Sequence, residues 1–190
     1  MAILISKQPD TRRNAAPRSV ALAIVMTFVT GAYGQVDEYH VKSAILFNFA
    51  KFVEWPTQTF RTPTEPIVIC ILGQNPFGNA LETTVSGKTV SGRSLAIRQN
   101  PDGQLSAGCQ MLFVASTERK RFRSIVRGFK GAGVLSIGEG EDFAADGGVI
   151  SLKMEGGKVR FEINVAAAEY ADIRISANLL SLAQVVRKPL

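Results

Sequence analysis

The two cysteines, Cys70 and Cys109, and the single histidine, His40, are the side chains of this 190-residue sequence best suited to a thiol nucleophile or a zinc site. A Cys–His dyad needs a cysteine that ionises readily, but Cys70 lies inside the apolar run IVICIL, where a thiolate is disfavoured. His40 would need a positioned partner to act as a general base, and the sequence offers none. Two cysteines and one histidine cannot complete a four-ligand zinc site without carboxylates. We therefore predict neither a catalytic dyad nor a metal site.

The segment SGKT at 86–89 matches the end of a phosphate-binding P-loop, but it does not have the motif's context. The leading glycine is replaced by Glu82, and a strand rather than a helix is predicted to follow. We interpret 86–89 as a surface turn. Nothing in the sequence assembles a nucleophile, a base and an oxyanion donor, so we predict a protein that is not an enzyme and has no cofactor.

The first 34 residues have the three parts of a secretory signal peptide. Four basic residues and one acidic residue precede an apolar stretch at 20–29, and Ala32-Tyr33-Gly34 supplies small residues at the −3 and −1 positions. This pattern predicts export and cleavage before Gln35. The alternative, a transmembrane anchor, is disfavoured because about ten apolar residues are too few to span a bilayer.

Cleavage would leave residues 35–190, a length typical of one domain with a sizeable core. Without the segment 1–34, the chain has 18 basic and 15 acidic residues. So small an excess of positive charge gives no electrostatic reason to expect nucleic-acid binding.

In an exported protein, the even cysteine count favours a disulfide between Cys70 and Cys109. The bond would join the first and third strands of the predicted sheet. The alternative is a pair of buried free thiols, because Cys70 lies within an apolar strand.

The order of predicted elements indicates an α/β fold. Residues 37–55 form a helix with an apolar stripe at Val41, Ile45, Phe49 and Phe52. Four short strands then alternate with helices, at 67–72, 94–99, 110–115 and 134–137. We expect a mixed, mostly parallel sheet flanked by helices, in a single domain.

The C-terminal third of the chain has a different pattern. Residues 149–154 and 158–164 alternate apolar and polar positions around Glu155-Gly156-Gly157, which predicts an antiparallel hairpin. Ser176 is predicted to cap a last helix whose buried stripe is Leu179, Leu182, Ala183 and Val186.

The polar face of the hairpin is the first candidate interaction surface. Arg160, Glu162 and Asn164 share the face of their strand that points away from the core, and Arg174 lies just before the last helix. These residues form either a solvated surface with weak ion pairs or a polar rim around a binding surface, with Trp55 as its apolar anchor. Trp55 is equally well explained as a core residue.

A second candidate is the basic helix predicted at 118–129 (ERKRFRSIVRGF), which has apolar residues on one side and basic residues on the other. The commonest explanation is a solvated amphipathic helix. The alternative is contact with an anion or a membrane surface.

Two segments carry a family resemblance: KSAILFNFAKFVEWP at 42–56, and GKVRFEINVAAAEYADIRISANLLSLA at 157–183. Their most specific parts are Phe49, Phe52 and Glu54-Trp55-Pro56 in the first, and RFEIN followed by RIS in the second. The chain resembles the YfiR family of exported bacterial proteins over essentially the whole of 35–190. It departs from the family in having no second cysteine pair near the hairpin, where Ser151 stands.

The resemblance implies a periplasmic inhibitor that binds the periplasmic sensor region of an inner-membrane diguanylate cyclase and so lowers cyclic di-GMP. It also implies a homodimer and an outer-membrane lipoprotein partner that sequesters the inhibitor. The residues themselves leave open a periplasmic module that binds a small ligand, with Trp55 beside Arg174 or Glu162 lining its pocket.

Overall fold

The computed structural model describes residues 30–100 and 108–188, and the apolar stretch of the predicted signal peptide at 20–29 lies outside them. The helices of the described part are α1 (Thr30–Phe52), α2 (Ala80–Val85), α3 (Arg119–Ile125), α4 (Val165–Tyr170) and α5 (Ala177–Leu180). The strands are β1 (Val53–Glu54), β2 (Ile67–Leu72), β3 (Thr89–Val90), β4 (Arg93–Asn100), β5 (Met111–Val114), β6 (Leu135–Glu139), β7 (Ile150–Glu155), β8 (Lys158–Asn164), β9 (Arg174–Ile175) and β10 (Gln184–Val186). Short 3-10 turns lie at Thr57–Thr59, Ser116–Glu118 and Val126–Phe129.

The main sheet has eight strands in the order β10-β8-β7-β6-β5-β2-β4-β3. Strands β4, β2, β5, β6 and β7 run parallel to one another, and β8 returns antiparallel to β7. The mixed, mostly parallel α/β fold with a C-terminal hairpin is confirmed.

Alternate residues of the central strands enter two separate hydrophobic clusters, one on each face of the sheet. On one face, Ile69 and Ile71 of β2 pack with residues of α1, α2, α4 and α5. On the other face, Cys70 and Leu72 pack with Phe122 of α3 and with Phe143. A strand buried on both faces is apolar at every position, which explains the continuous run IVICIL.

The hairpin turn is built as its sequence predicts. Gly156 and Gly157 both have positive φ angles, of 57° and 73°, which the tight turns of two-residue hairpins require. Residues 150–155 of β7 pair with 158–163 of β8 in register.

The predicted apolar stripe of α1 is wrong at its start. Val41 is 44% exposed, whereas Lys42 and Ser43 are buried, so the buried stripe runs through Lys42, Leu46, Phe49 and Val53. The helix also ends at Phe52, because Val53 and Glu54 form β1 and pair with β9.

The predicted last helix is wrong beyond Leu180. Residues Gln184–Val186 instead form β10, which adds a parallel strand to β8 at the edge of the sheet. Leu182 is 72% exposed rather than buried. The two adjacent β-branched residues, Val185 and Val186, suit a strand better than a helix.

None of the helices within 30–100 and 108–188 has the length and apolar content that crossing a bilayer requires.

Candidate partner-binding surface

Trp55 lies directly after α1 and β1 and is half-buried. Its indole Nε1 donates a hydrogen bond to the carbonyl oxygen of Gln110 at 3.2 Å, and its ring meets Phe60 edge to face at 6.4 Å. Trp55 therefore both packs against the core and presents part of its ring to solvent, which is common for tryptophan at interaction surfaces.

A cleft of about 250 Å³ lies beside the indole, with a largely apolar lining that includes Ala50, Val53, Phe60, Ile67 and Val90. Polar groups come from Glu54, Ser91 and Arg93. The Arg93 guanidinium lies 3.7 Å from the centre of the Phe60 ring and donates to the carbonyl oxygens of Thr62 and Glu65, so the wall of the cleft is fixed.

Arg174 is positioned next to Trp55 by a two-stranded antiparallel pair. In this pair Glu54 of β1 faces Arg174 of β9, and Val53 faces Ile175. The backbone N–H of Ser176 donates to the carbonyl of Phe52 at 2.9 Å, which joins this pair to the end of α1. Arg174 is exposed and is paired with the residue that precedes Trp55, so we group Trp55 and Arg174 as one candidate surface, the Trp55–Arg174 surface.

Arg160 is also exposed, but it lies on the other face of the main sheet. Successive residues of a strand point to opposite faces. Phe161 packs against Phe49 of α1 with ring centres 5.1 Å apart, so Arg160 points away from α1. The structure does not bring Arg160 together with the Trp55–Arg174 surface.

Glu162 is not an exposed rim residue, contrary to the expectation from the alternating pattern. It is 2% exposed, and its two carboxylate oxygens accept from the Nζ atoms of Lys153 and Lys188, each at 2.9 Å. The covering residue Lys188 follows β10, the strand that the sequence did not predict. Burial alone would raise the pKa of Glu162, but the hydrogen bonds from Lys153 and Lys188 outweigh it and hold the pKa below its usual value.

Asn164 is fully buried, so its predicted place on an exposed face is wrong as well. Its Oδ1 accepts from the backbone N–H groups of Ala166 and Lys188 at 3.1 Å, and its Nδ2 donates to the carbonyl oxygens of Ala144 and Lys188. Asn164 thus caps α4 and fixes the C-terminal segment beside it.

The predicted disulfide is present. Cys70 of β2 and Cys109, just before β5, are bonded with their Cα atoms 5.8 Å apart. The Arg98 guanidinium of β4 lies against both sulfur atoms, with Nη2 3.0 Å from the Cys109 Sγ and 3.4 Å from the Cys70 Sγ. The disulfide is buried and links neighbouring parallel strands.

Sequence reasoning missed a buried ion pair near the middle of α1. Lys42 is 4% exposed and donates to Glu139 of β6 at 2.5 Å, and it also pairs with Glu38. Burial lowers the pKa of Lys42, but the bonds to Glu139 and Glu38 outweigh it, so the pKa is raised. The spacing of Lys42, Leu46, Phe49 and Val53 at four, three and four residues is the signal that would have found it.

A comparison with models of protein families agrees with the fold described above. A model of the YfiR/HmsC-like family matches residues 39–184, which contain β1 to β9, both cysteines and the Trp55–Arg174 surface. The chain belongs to the YfiR/HmsC-like family.

Proteins of the YfiR-like family are periplasmic regulators without catalytic activity. Their expected partner is the periplasmic sensor region of a diguanylate cyclase. For such a protein the relevant geometry is an exposed surface that a partner can contact. The Trp55–Arg174 surface has that form.

Proposed function

We propose that this protein binds and inhibits the periplasmic sensor region of an inner-membrane diguanylate cyclase and thereby lowers cyclic di-GMP. The family match across 39–184 carries this proposal. In this proposal the protein is exported, its signal peptide is removed before Gln35, and residues 35–190 act as one regulatory domain.

The surface that we propose for the cyclase is the Trp55–Arg174 surface. It combines an aromatic side chain that is partly exposed with a neighbouring exposed arginine, and these two residue types dominate binding energy in protein interfaces. The backbone of the surface is held by the β1–β9 pair, so the protein has little to reorganise on binding. Arg160 would belong to the interface only if the cyclase also reached the opposite face of β8.

Glu162 and Asn164 have a different role in this proposal. Both are buried and bonded within the protein, so a partner cannot contact them without displacing Lys153 or Lys188. They support the region that precedes β9, because Asn164 caps α4 and α4 leads into Arg174.

The function is tested by deleting the gene and measuring cyclic di-GMP under several growth conditions. We expect the level to rise, because the cyclase loses its inhibitor. Unchanged cyclic di-GMP under every condition would refute the assignment. Affinity capture from solubilised membranes with the tagged protein then identifies the cyclase.

The surface is tested separately with Arg174→Glu, which reverses an exposed charge next to Trp55. We expect this variant to fold normally and to leave cyclic di-GMP near the level of the deletion strain. Lys158→Glu is the matched control, because it makes the same charge change at the exposed tip of the hairpin. If Arg174→Glu still represses like the wild type, the cyclase binds elsewhere. Arg160→Glu then shows whether the other face of β8 takes part.

The cleft beside the indole favours a second candidate function, the binding of a small, largely apolar ligand. Trp55 is the only tryptophan, so its fluorescence reports on the cleft directly. A ligand at about 100 times its dissociation constant would stabilise the protein by roughly 2.7 kcal/mol. A screen that produces neither a fluorescence change nor a melting shift would dismiss this function.

Two further partners belong to the proposal: a second copy of the chain and an outer-membrane lipoprotein that sequesters the protein from the cyclase. Light scattering on the purified protein tests the homodimer, and a monomer at all concentrations would refute it. Co-purification from outer-membrane extracts tests the lipoprotein.

A further inference from the structure

The segment 119–130, which contains α3 and the turn after it, has one strongly cationic face. Its apolar residues Phe122, Val126 and Phe129 are buried against the sheet, and Ile125 is half-buried against the same cluster. The basic residues of the segment are Arg119, Lys120, Arg121, Arg123, Arg127 and Lys130.

Half of these cations have acidic partners. Arg119 and Arg123 both pair with Asp146, whose carboxylate is 5% exposed, and Arg121 pairs with Glu118 at 3.6 Å. Lys120, Arg127 and Lys130 are exposed, and no ion pair is found for them within the described residues. Their charges are therefore available to a partner.

A cleft of about 400 Å³ opens beside this face, lined by Arg123, Arg127, Val126, Ala145, Asp146 and Tyr170. The Tyr170 hydroxyl donates to the carbonyl oxygen of Arg127 at 3.0 Å, so this hydroxyl is not available to donate to a ligand. The donors that the cleft offers are therefore the guanidinium groups of Arg127, which has no ion pair within the described residues, and of Arg123, which already shares the Asp146 carboxylate with Arg119. They lie one helical turn apart, a spacing that lets both reach one phosphate group.

The face has no apolar anchor. The large hydrophobic residues that are exposed in the described part are Val41, Met154, Leu182 and Val185, and none of them lies in 119–130. Protein interfaces usually depend on buried aromatic or aliphatic anchors, which this face does not supply. A row of exposed cations without an anchor, in which Lys120, Arg127 and Lys130 have no ion pair within the described residues, instead suits an anionic lipid surface, which attracts lysine and arginine by charge alone.

We propose that the cationic face formed by Lys120, Arg123, Arg127 and Lys130 docks on anionic phospholipid headgroups, and that the cleft between Arg123 and Arg127 takes a headgroup phosphate. The apolar side of the segment is committed to the core, so the protein rests on the headgroups and does not insert. Given the export proposed above, this contact holds the protein at the membrane that contains its proposed cyclase partner.

The experiment is co-sedimentation of the exported, purified protein with phosphatidylcholine vesicles, with and without phosphatidylglycerol, at low and high salt. We expect binding only when phosphatidylglycerol is present, and we expect high salt to release the protein, because the attraction is screened. The double variant Arg127→Glu with Lys130→Glu should lower the vesicle partition coefficient by at least about tenfold, since each cation near such a surface contributes about fivefold.

The matched control is Lys88→Glu with Lys158→Glu, which makes the same net charge change at exposed lysines elsewhere. This control should keep most of the binding. The proposal is overturned if the control loses binding equally, because net charge alone would then explain the effect, or if the wild type does not prefer phosphatidylglycerol.

A melting experiment with inorganic phosphate distinguishes a cleft that binds free phosphate from one that binds the phosphate of a lipid headgroup. If phosphate raises the melting temperature of the wild type but not of the double variant, and no vesicle binding occurs, the cleft binds free phosphate and the lipid proposal is wrong. No cyclase is present in these assays, so their outcome is independent of the proposed inhibition.

Discussion

Replacing Glu162 by glutamine tests the buried ion network of the C-terminal hairpin. The carboxylate is 2% exposed and accepts one hydrogen bond from Lys153 and one from Lys188, both at 2.9 Å. Glutamine keeps the size of the side chain but removes the charge. Two ammonium groups would then face a neutral amide, and the Lys153 side chain is only 14% exposed. The register also places Arg160 directly opposite Lys153, which adds a third positive charge.

The expected loss of stability in Glu162→Gln follows from these contacts. Removing one partner of a buried pair costs about 3–5 kcal/mol when the remaining charge stays buried. The Lys188 side chain is 35% exposed and can turn to water, which reduces the loss. We therefore expect the free energy of unfolding to fall by about 2–4 kcal/mol, and the melting temperature to fall by very roughly 4–16 °C for a domain of this size.

Urea and thermal unfolding, followed by circular dichroism, provide the measurement. Glu155→Gln is the matched control, because Glu155 lies on the same hairpin but is exposed. Its substitution should change stability by less than about 0.5 kcal/mol. Adding Lys153→Gln to Glu162→Gln should restore part of the loss, because the double variant no longer buries an unpaired cation. If Glu162→Gln unfolds like the wild type, the network contributes nothing and the reasoning is refuted.

Three further predictions concern other parts of the chain. Reducing the Cys70–Cys109 bond, which closes a separation of 39 residues, should lower stability by about 3–4 kcal/mol in urea titrations, and equal midpoints with and without reductant would contradict this. Lys42→Met should destabilise by about 2–4 kcal/mol because it leaves the Glu139 carboxylate without its cation, whereas Val41→Lys should change stability by less than about 0.5 kcal/mol. If the two variants melt alike, the orientation of α1 is wrong. Burial would raise the pKa values of Asp146 and Glu162, but their cationic partners outweigh it and lower both pKa values. The two carboxylates therefore stabilise the folded protein above the unfolded-state pKa of about 4. This stabilisation is lost as pH falls through the lower folded-state pKa values. The acid limb of a stability–pH curve should therefore be shallower for Asp146→Asn than for the wild type, and an identical limb would count against this account.

Much of the fold was predictable because its signals are local. The run IVICIL gives a strand buried on both faces, and Glu155-Gly156-Gly157-Lys158 gives a tight turn that sets the register of β7 and β8. The disulfide was also predictable once export was inferred, because two cysteines allow only one internal bond.

The errors at Glu162 and Asn164 share a non-local cause. A strict alternation of apolar and polar positions predicts that Glu162 and Asn164 face solvent, and it would be correct if nothing covered that face of β8. In the structure β10 pairs with β8, and Lys188, which follows it, covers both side chains. The sequence from Ser176 onward instead suggests a continuing helix, so the strand that buries these two residues is not visible from their own neighbourhood.

The burial of Glu162 and Asn164 also changes how variants at these two positions must be interpreted. Asn164 caps α4, α4 leads into β9, and β9 places Arg174 opposite Glu54 and next to Trp55. We therefore expect a destabilising change at Glu162 or Asn164 to disturb the Trp55–Arg174 surface through the fold, even though both residues are buried. Loss of repression in such a variant is no evidence of contact unless the protein keeps its wild-type stability. Arg174→Glu and Arg160→Glu avoid this difficulty, because both side chains are exposed and the structure shows no internal ion pair for either within the described residues. Substitutions at the exposed arginines therefore test where the proposed interface lies, whereas substitutions at the buried Glu162 and Asn164 test the framework around it.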